Sequence, residues 1–215
     1  MNNYKAIIFD LGNVIVNISF DNVFEYWNKI TNRNSNDFKN KFQFDGMFKK
    51  FERGEIKPTE YRNYISKKLG FKFSKAEFDN GWNTIYLNLV PDIENLLKLL
   101  KQDFRLVILT NTNEIHSKIW KIKYRRILNY FEKIFLSNEI KARKPERKAY
   151  EIVLDYLKLS PLNVIFLDDN IGYVEGALNL GIKSILVSSP YQMINELEKL
   201  GINVKKKLKT ADSIM

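Results

Sequence analysis

A doubly wound α/β fold built on a parallel sheet is the architecture this 215-residue sequence predicts. Three observations carry that reading. Five short apolar runs lack the alternation of a half-exposed strand, so both faces of their sheet are covered. Amphipathic helical stretches separate the runs. The interval between the first run and the second is several times an ordinary strand–helix–strand crossover, so something is inserted there.

The first strand is Ala6-Ile7-Ile8-Phe9. Helical patterns then cover residues 20–30, 36–44, 58–69 and 74–85, with little that reads as strand. Pro58 with Thr59, and Ser74 followed by Glu77, supply helix-start signals for the last two. A helical face of Ile93, Leu96, Leu97 and Leu100 precedes the second strand, Leu106-Val107-Ile108-Leu109. The third strand is Ile134-Phe135-Leu136, followed by a helix bearing Ile152, Val153, Tyr156 and Leu157. Val164-Ile165-Phe166-Leu167 is the fourth, and a helix stopped near Gly181 leads to the fifth, Ser184-Ile185-Leu186-Val187. The expected division is a core of residues 1–17 and 88–215 with a helical insertion at 18–87. The two are expected to pack as one body, hinged near 16–17 and 87–91.

Composition narrows the function classes. Hydrophobic residues make up 45% and charged residues 28%, the profile of an ordinary globular protein. There is no cysteine, which excludes disulfides, thiolate metal sites and cysteine nucleophiles. Met1-Asn2-Asn3 leads straight into the first strand without a signal-peptide pattern, and no apolar run reaches the roughly 20 residues that cross a bilayer. A cytoplasmic protein, monomer or homodimer, without a membrane partner is the expectation. The net charge of +10 suits anionic ligands, either nucleic acid or small molecules. Lysines are spread along the chain and only Lys205-Lys206-Lys207-Leu208-Lys209 is dense, so a solvated surface is favoured over a nucleic-acid site.

In open α/β sheets ligands bind beyond the carboxyl ends of the strands. The first strand ends in Asp10-Leu11-Gly12-Asn13-Val14, the second in Thr110-Asn111-Thr112-Asn113, and the fourth in Asp168-Asp169-Asn170; Arg143-Lys144-Pro145 follows the third. Two adjacent acids after a buried strand are costly unless something cationic compensates. This set suits phosphoryl transfer. A carboxylate such as Asp10 can attack phosphorus and form an aspartyl-phosphate that water cleaves. Lys144 would supply fixed positive charge, Thr110 and Asn111 hydrogen bonds, and the backbone N–H groups of Leu11 and Gly12 the rest of the cradle. Asp10, Asp168 and Asp169 would repel each other and a phosphate dianion, which a Mg²⁺ ion resolves.

In these four motifs, their order and their spacing, the sequence resembles the haloacid dehalogenase (HAD) superfamily. The likeness spans the whole chain, because the helical insertion falls where that family's small type 1 cap emerges from its Rossmann-like core. The run from Phe9 to Val16, with Glu52-Arg53-Gly54-Glu55-Ile56 in the insertion, is most similar to the bacterial α-D-glucose-1-phosphate phosphatase branch. The resemblance implies a Mg²⁺-dependent phosphatase acting on a small phosphorylated metabolite. It makes Asp10 nucleophile and metal ligand, Gly12 a ligand through its carbonyl, Asp169 a direct ligand and Asp168 a ligand through water. Thr110, Asn111 and Lys144 would hold the phosphate.

One position departs from the family pattern. Most of its phosphatases carry a second aspartate two residues after the nucleophile as general acid and base; here Gly12 stands there. Such assistance is commonly worth about 10²- to 10⁴-fold. Two escapes are open: a sugar 1-phosphate leaves as a less basic hemiacetal alkoxide, or Glu52 or Glu55 delivers the proton. Three rival readings are a 2-haloacid dehalogenase, which the Asp168-Asp169 pair disfavours, a phosphomutase, which Gly12 disfavours, and a catalytically weak binding or regulatory protein. The single histidine, His116, reads as a helix-surface residue. Phe42, Phe44, Phe48 and Phe51 read as core aromatics, one or two of them facing substrate, and Trp27, Trp82 and Trp120 as packing residues.

Overall fold

In the computed structural model, β1 (Ala6–Phe9) is the central strand of a five-stranded parallel sheet, reached before any helix has formed. The model describes residues 3–32 and 35–204; the basic cluster at 205–209 lies outside the described residues. A short strand β2 (Val16–Ile18) follows, then five helices: α1 (Phe20–Thr31), α2 (Ser35–Lys41), α3 (Gly46–Glu52), α4 (Pro58–Leu69) and α5 (Lys75–Asn83). Strand β3 (Tyr86–Leu89) closes this excursion by pairing antiparallel with β2, Val16 opposite Leu89 and Ile18 opposite Tyr86.

The remaining chain alternates helix and strand: α6 (Ile93–Leu100), β4 (Arg105–Thr110), α7 (Glu114–Lys123), α8 (Arg125–Leu128), β5 (Lys133–Leu136), α9 (Ser137–Ile140), α10 (Arg147–Leu157), β6 (Val164–Asp168), α11 (Ile171–Leu178), β7 (Lys183–Leu186) and α12 (Pro190–Lys199). The sheet order is β5-β4-β1-β6-β7, so strand order reverses at β1. The continuous apolar runs have a direct cause. Ile7, Phe9, Leu106, Ile108, Ile165 and Leu167 enter a core beneath α6, α8 and α12. Their neighbours Ala6, Ile8, Val107, Leu109, Val164 and Phe166 enter a second core beneath α10 and α11. Both pleat faces are dry, as in a doubly wound α/β fold.

The helices between β2 and β3 enclose a third core of their own, dominated by Trp27, Phe38, Phe42, Phe51, Tyr61, Phe78 and Trp82. Its ring contacts include the stacked pairs Phe51–Tyr61 at 4.3 Å and Trp27–Trp82 at 5.8 Å between centroids. Of the start signals, Ser74 and Glu77 form the reciprocal pair at α5, with Glu77 N donating to Ser74 Oγ at 3.2 Å and Ser74 N to Glu77 Oε2 at 2.7 Å. Three features depart from the sequence reading. A β2–β3 ribbon occupies the two segments expected as hinges, where Ser19 N donates to Ile85 O and Val90 N to Ile15 O, each at 2.9 Å, extending the pairing at both ends. Helix α3 is additional; the Asp45 carboxylate caps it by accepting from Met47 N at 3.0 Å and Phe48 N at 3.1 Å. Helix α2 ends at Lys41 rather than near Phe44. Among the described residues, no helix is long and apolar enough to cross a membrane.

Candidate active site

Asp10 stands at the carboxyl end of the central strand, at the switch point where strand order reverses. Its backbone N–H still pairs with Leu167 O at 2.8 Å, and the chain then turns sharply: Ile15 N and Val16 N both donate to Leu11 O, at 3.0 and 2.9 Å. Asn13 takes the left-handed conformation that turn requires, with φ of 53°. The turn leaves the Asp10 carboxylate at the floor of a cavity of about 490 Å³, within the range of small-molecule sites.

Lys144 lies beneath the floor, outside the cavity lining. Fully buried, it directs Nζ to Asp10 Oδ1 at 2.6 Å and to Asp168 Oδ2 at 2.5 Å. Burial alone would lower its pKa, but the two carboxylates outweigh that and hold it above the ordinary lysine range. Burial raises the Asp168 pKa, with Lys144 opposing the shift. Asn111 fixes Lys144 from behind: its Oδ1 accepts from Lys144 N at 2.8 Å and its Nδ2 donates to Lys144 O at 2.9 Å. The Asn111 side chain, expected at the phosphate, lines the cavity and is bonded there to the lysine main chain. Thr110, buried at the end of β4, lines the cavity together with Leu11 and Gly12.

Asp169 lies at the cavity's edge, where Asn13 Nδ2 donates to its Oδ2 at 2.9 Å. Burial raises its pKa, the Asn13 amide lowers it and Asp10 raises it again. Asp10, Asp168 and Asp169 each offer a carboxylate oxygen within 4.8 Å of the others. Three carboxylates face one lysine, so two negative charges are left over. A divalent, oxygen-seeking cation fits that donor set.

The opposite wall of the cavity is apolar and comes from the helical unit and the ribbon: Ile18, Phe20, Phe44, Phe48, Ile85 and Tyr86. Of the four phenylalanines named from sequence, Phe42 and Phe51 are buried in the helical core, while Phe44, 57% exposed, and Phe48 face the cavity. At the junction of floor and wall, Arg143 Nε donates to Glu52 Oε2 at 2.8 Å, with both residues buried. Arg143 Nη2 also reaches Tyr173 Oη at 3.2 Å. No role for Arg143 or Tyr173 is legible in the sequence, because their meeting depends on packing between distant elements; the local signal is the position of Arg143 beside Lys144.

His116 is a correction. Expected on a helix surface, it is 4% exposed, stacks on Trp82 at 5.0 Å and lines the cavity. The cause is that α7 packs against α5. His116 Nε2 lies 3.0 Å from Trp82 O and Nδ1 3.0 Å from Asn113 Nδ2, so the neutral ring donates through Nε2 and accepts at Nδ1. Burial lowers its pKa to about 3, the Trp82 carbonyl opposing.

A strand-end carboxylate held by a buried lysine, beside an acidic pair at the switch point of a doubly wound sheet, marks the ligand-binding edge of an α/β domain. Residues 7–187 match the family described as haloacid dehalogenase-like hydrolases, and the chain belongs to that family. Among similar proteins, a D-ribitol-5-phosphate phosphatase of Bacteroides thetaiotaomicron is 22% identical over 185 residues, covering 84% of this chain and 90% of that one. A sesquiterpene phosphatase of Aspergillus oryzae is 27% identical over 202 residues, covering 92% and 96%. The crystal structure of a HAD family enzyme from Bacteroides thetaiotaomicron, in complex with magnesium and inorganic phosphate, superposes with a TM-score of 0.74 at 32% identity, covering 87% of this chain and 96% of that one.

Proposed function

We propose that this chain is a Mg²⁺-dependent phosphatase that hydrolyses small phosphate monoesters, sugar and sugar-alcohol phosphates foremost, through an aspartyl-phosphate on Asp10. The observation that carries the reading is Lys144 bridging Asp10 and Asp168 at a cavity floor that has two negative charges to spare. The free Asp10 oxygen attacks phosphorus while the bond to the leaving oxygen breaks. Lys144 holds the other Asp10 oxygen in place and Asn111 keeps Lys144 in place. The Thr110 hydroxyl and the N–H groups of Leu11 and Gly12 donate to the phosphoryl oxygens. Water then attacks phosphorus, releasing phosphate and restoring Asp10. Asp10, the Gly12 carbonyl and Asp169 directly, and Asp168 through water, would hold the Mg²⁺ ion, which when bound offsets the charge of the phosphoryl oxygens.

Residues 18–87 act as a cap on a core of 1–17 and 88–215. The cap's phenylalanine wall meets the leaving group and excludes water. The substrate class is supported by the ribitol-phosphate relative and by the resemblance to the glucose-1-phosphate phosphatase branch. A 2-haloacid dehalogenase reading is weaker on charge grounds: displacement at carbon needs no cation, and leaves the three-carboxylate cluster without a use.

The test is phosphate release from p-nitrophenyl phosphate with Mg²⁺ and with chelator, followed by glucose 1-phosphate, glucose 6-phosphate and D-ribitol 5-phosphate. Metal-dependent turnover is expected, with no halide release from 2-chloropropionate. A folded protein that releases no phosphate with Mg²⁺ contradicts the reading. A clear preference for glucose 6-phosphate over the 1-phosphate removes the argument that an easier leaving group compensates for Gly12.

A further inference from the structure

We propose that Glu52, carried into the cavity by α3, is the acid that protonates the leaving oxygen and the base that then takes a proton from the attacking water. The inference rests on the phosphatase reading above and supplies the step that Gly12 leaves open. A Cβ at Gly12 would lie 2.9 Å from Ile18 Cδ1, so the ribbon residue Ile18 fills the space where a side chain at that position would begin. Position 12 is therefore both empty of an acid and occupied by hydrocarbon.

Among the described residues, three carboxylates line the cavity: Asp10, Asp169 and Glu52. The first two belong to the floor, as nucleophile and cation ligand. Glu52 comes from the facing cap, the side from which a leaving group departs when Asp10 attacks in line. Its position is held from both ends. Ser137 Oγ donates to Glu52 O at 2.6 Å and accepts from Thr112 N at 2.9 Å, tying the end of α3 to the loop after β4. Arg143, next to Lys144 in the chain, holds carboxylate Oε2. The rival Glu55 lies outside the cavity lining and is paired with Arg53 at 2.5 Å. His116 is held neutral, with both ring nitrogens engaged.

The groups facing Glu52 are Arg143, Lys144, Asp10, Tyr61, Tyr86 and Tyr173. Burial raises the Glu52 pKa to about 7, while Arg143 lowers it without cancelling the effect. Both protonation states are therefore populated near neutrality, as a group that gives and then regains a proton requires. The balance closes. As the Asp10–phosphorus bond forms and the leaving P–O bond breaks, the Glu52 proton passes to the leaving oxygen and an alcohol departs. When water attacks phosphorus, its proton goes to Glu52, the Asp10–phosphorus bond breaks, and phosphate leaves.

The experiment compares kcat/KM of wild type and Glu52→Gln, with Mg²⁺, on glucose 6-phosphate and on p-nitrophenyl phosphate. The first substrate leaves as a basic alkoxide and the second as a stable phenolate that needs no proton. Loss of about 10²- to 10⁴-fold is expected on the alkyl substrate and less than about tenfold on the aryl one. Retained aryl turnover also shows that the variant is folded. Equal losses on both substrates overturn the acid role and leave Glu52 a positioning residue. Wild type inert toward both overturns the phosphatase reading, and this role with it.

Should Glu52→Gln fail to fold, wild type alone decides. Across a series of aryl and alkyl phosphates, kcat/KM is expected to depend weakly on leaving-group basicity. A steep fall with basicity overturns the proposal. Raising the pH through about 7 deprotonates Glu52, so alkyl turnover should decline there while aryl turnover persists.

Discussion

The floor and the wall of the cavity are built on opposite principles. On the floor every charged group has a named partner: Lys144 with Asp10 and Asp168, Asn13 with Asp169, Asn111 with the Lys144 main chain. The wall is a set of rings and branched aliphatics; among the described residues its only charged members are Lys49 and, at its base, Glu52. Fixed dipoles and paired charges act at a defined atom, so the floor suits a reaction common to many substrates. Apolar contact discriminates weakly between leaving groups, so the wall suits a range of related esters. Within this reading the chemistry belongs to the sheet and the selectivity to the helices.

The sharpest way to break that contrast is at the floor. Asp10→Asn is expected to lower kcat by about 10⁴-fold or more, as loss of a covalent nucleophile does elsewhere, with substrate binding retained. Phosphate-release kinetics check it, and a variant with even a hundredth of wild-type turnover would break the assignment. Lys144→Ala follows in size. It strands two buried carboxylates and should destabilise the fold by about 3–5 kcal/mol, besides abolishing activity. Chemical denaturation measures this, and an unchanged midpoint would mean that the carboxylates find another partner.

At the wall the expected effects are smaller and differ in kind. Phe44→Ala should reduce kcat/KM by roughly tenfold, through loss of about 1–2 kcal/mol of apolar contact, and should do so unevenly across a substrate panel. Because Phe44 is 57% exposed, the melting temperature should hardly move. A uniform effect on all substrates would place the ring's role elsewhere.

The smallest effect sits where wall meets core. His116, the only histidine, is held neutral with a pKa of about 3 against an ordinary 6.5. In that interval the unfolded chain binds a proton that the folded one refuses, so stability falls as pH falls from 6.5 toward 3. Between about pH 7 and about pH 5.5 this costs wild type roughly 1 kcal/mol relative to His116→Gln. Asp168 and Glu52, raised by burial, act in the opposite direction in both proteins, so the difference between the two denaturation midpoints is the readout.

The two regions were also unequally legible in the sequence. The five sheet strands stood out because burial on both faces removes polar alternation, and the floor residues stood out because they follow those strands directly. Strands β2 and β3 span only Val16–Ile18 and Tyr86–Leu89, and most of their residues are partly exposed, so neither left a periodic signal. Helix α3 carries one local mark in the sequence, Asp45 three residues before Phe48, on a segment too short for a periodic signal. The burial of His116 is not legible locally because it depends on α5 docking against α7; the spacing of Asn113, His116 and Trp120 on one helical face is its one sequence signal. The Glu52–Arg143 pair joins residues 91 positions apart, which local reading does not reach.

Trapping the covalent intermediate tests the central claim most directly. Wild type, turning over p-nitrophenyl phosphate with Mg²⁺, is quenched and treated with borohydride, which reduces an acyl phosphate to an alcohol, and the peptide containing residue 10 is weighed. The account predicts a homoserine at Asp10, absent without substrate and absent in Asp10→Asn. Steady turnover with an unmodified Asp10 peptide, or with the reduced residue at Asp168 or Asp169, would contradict it.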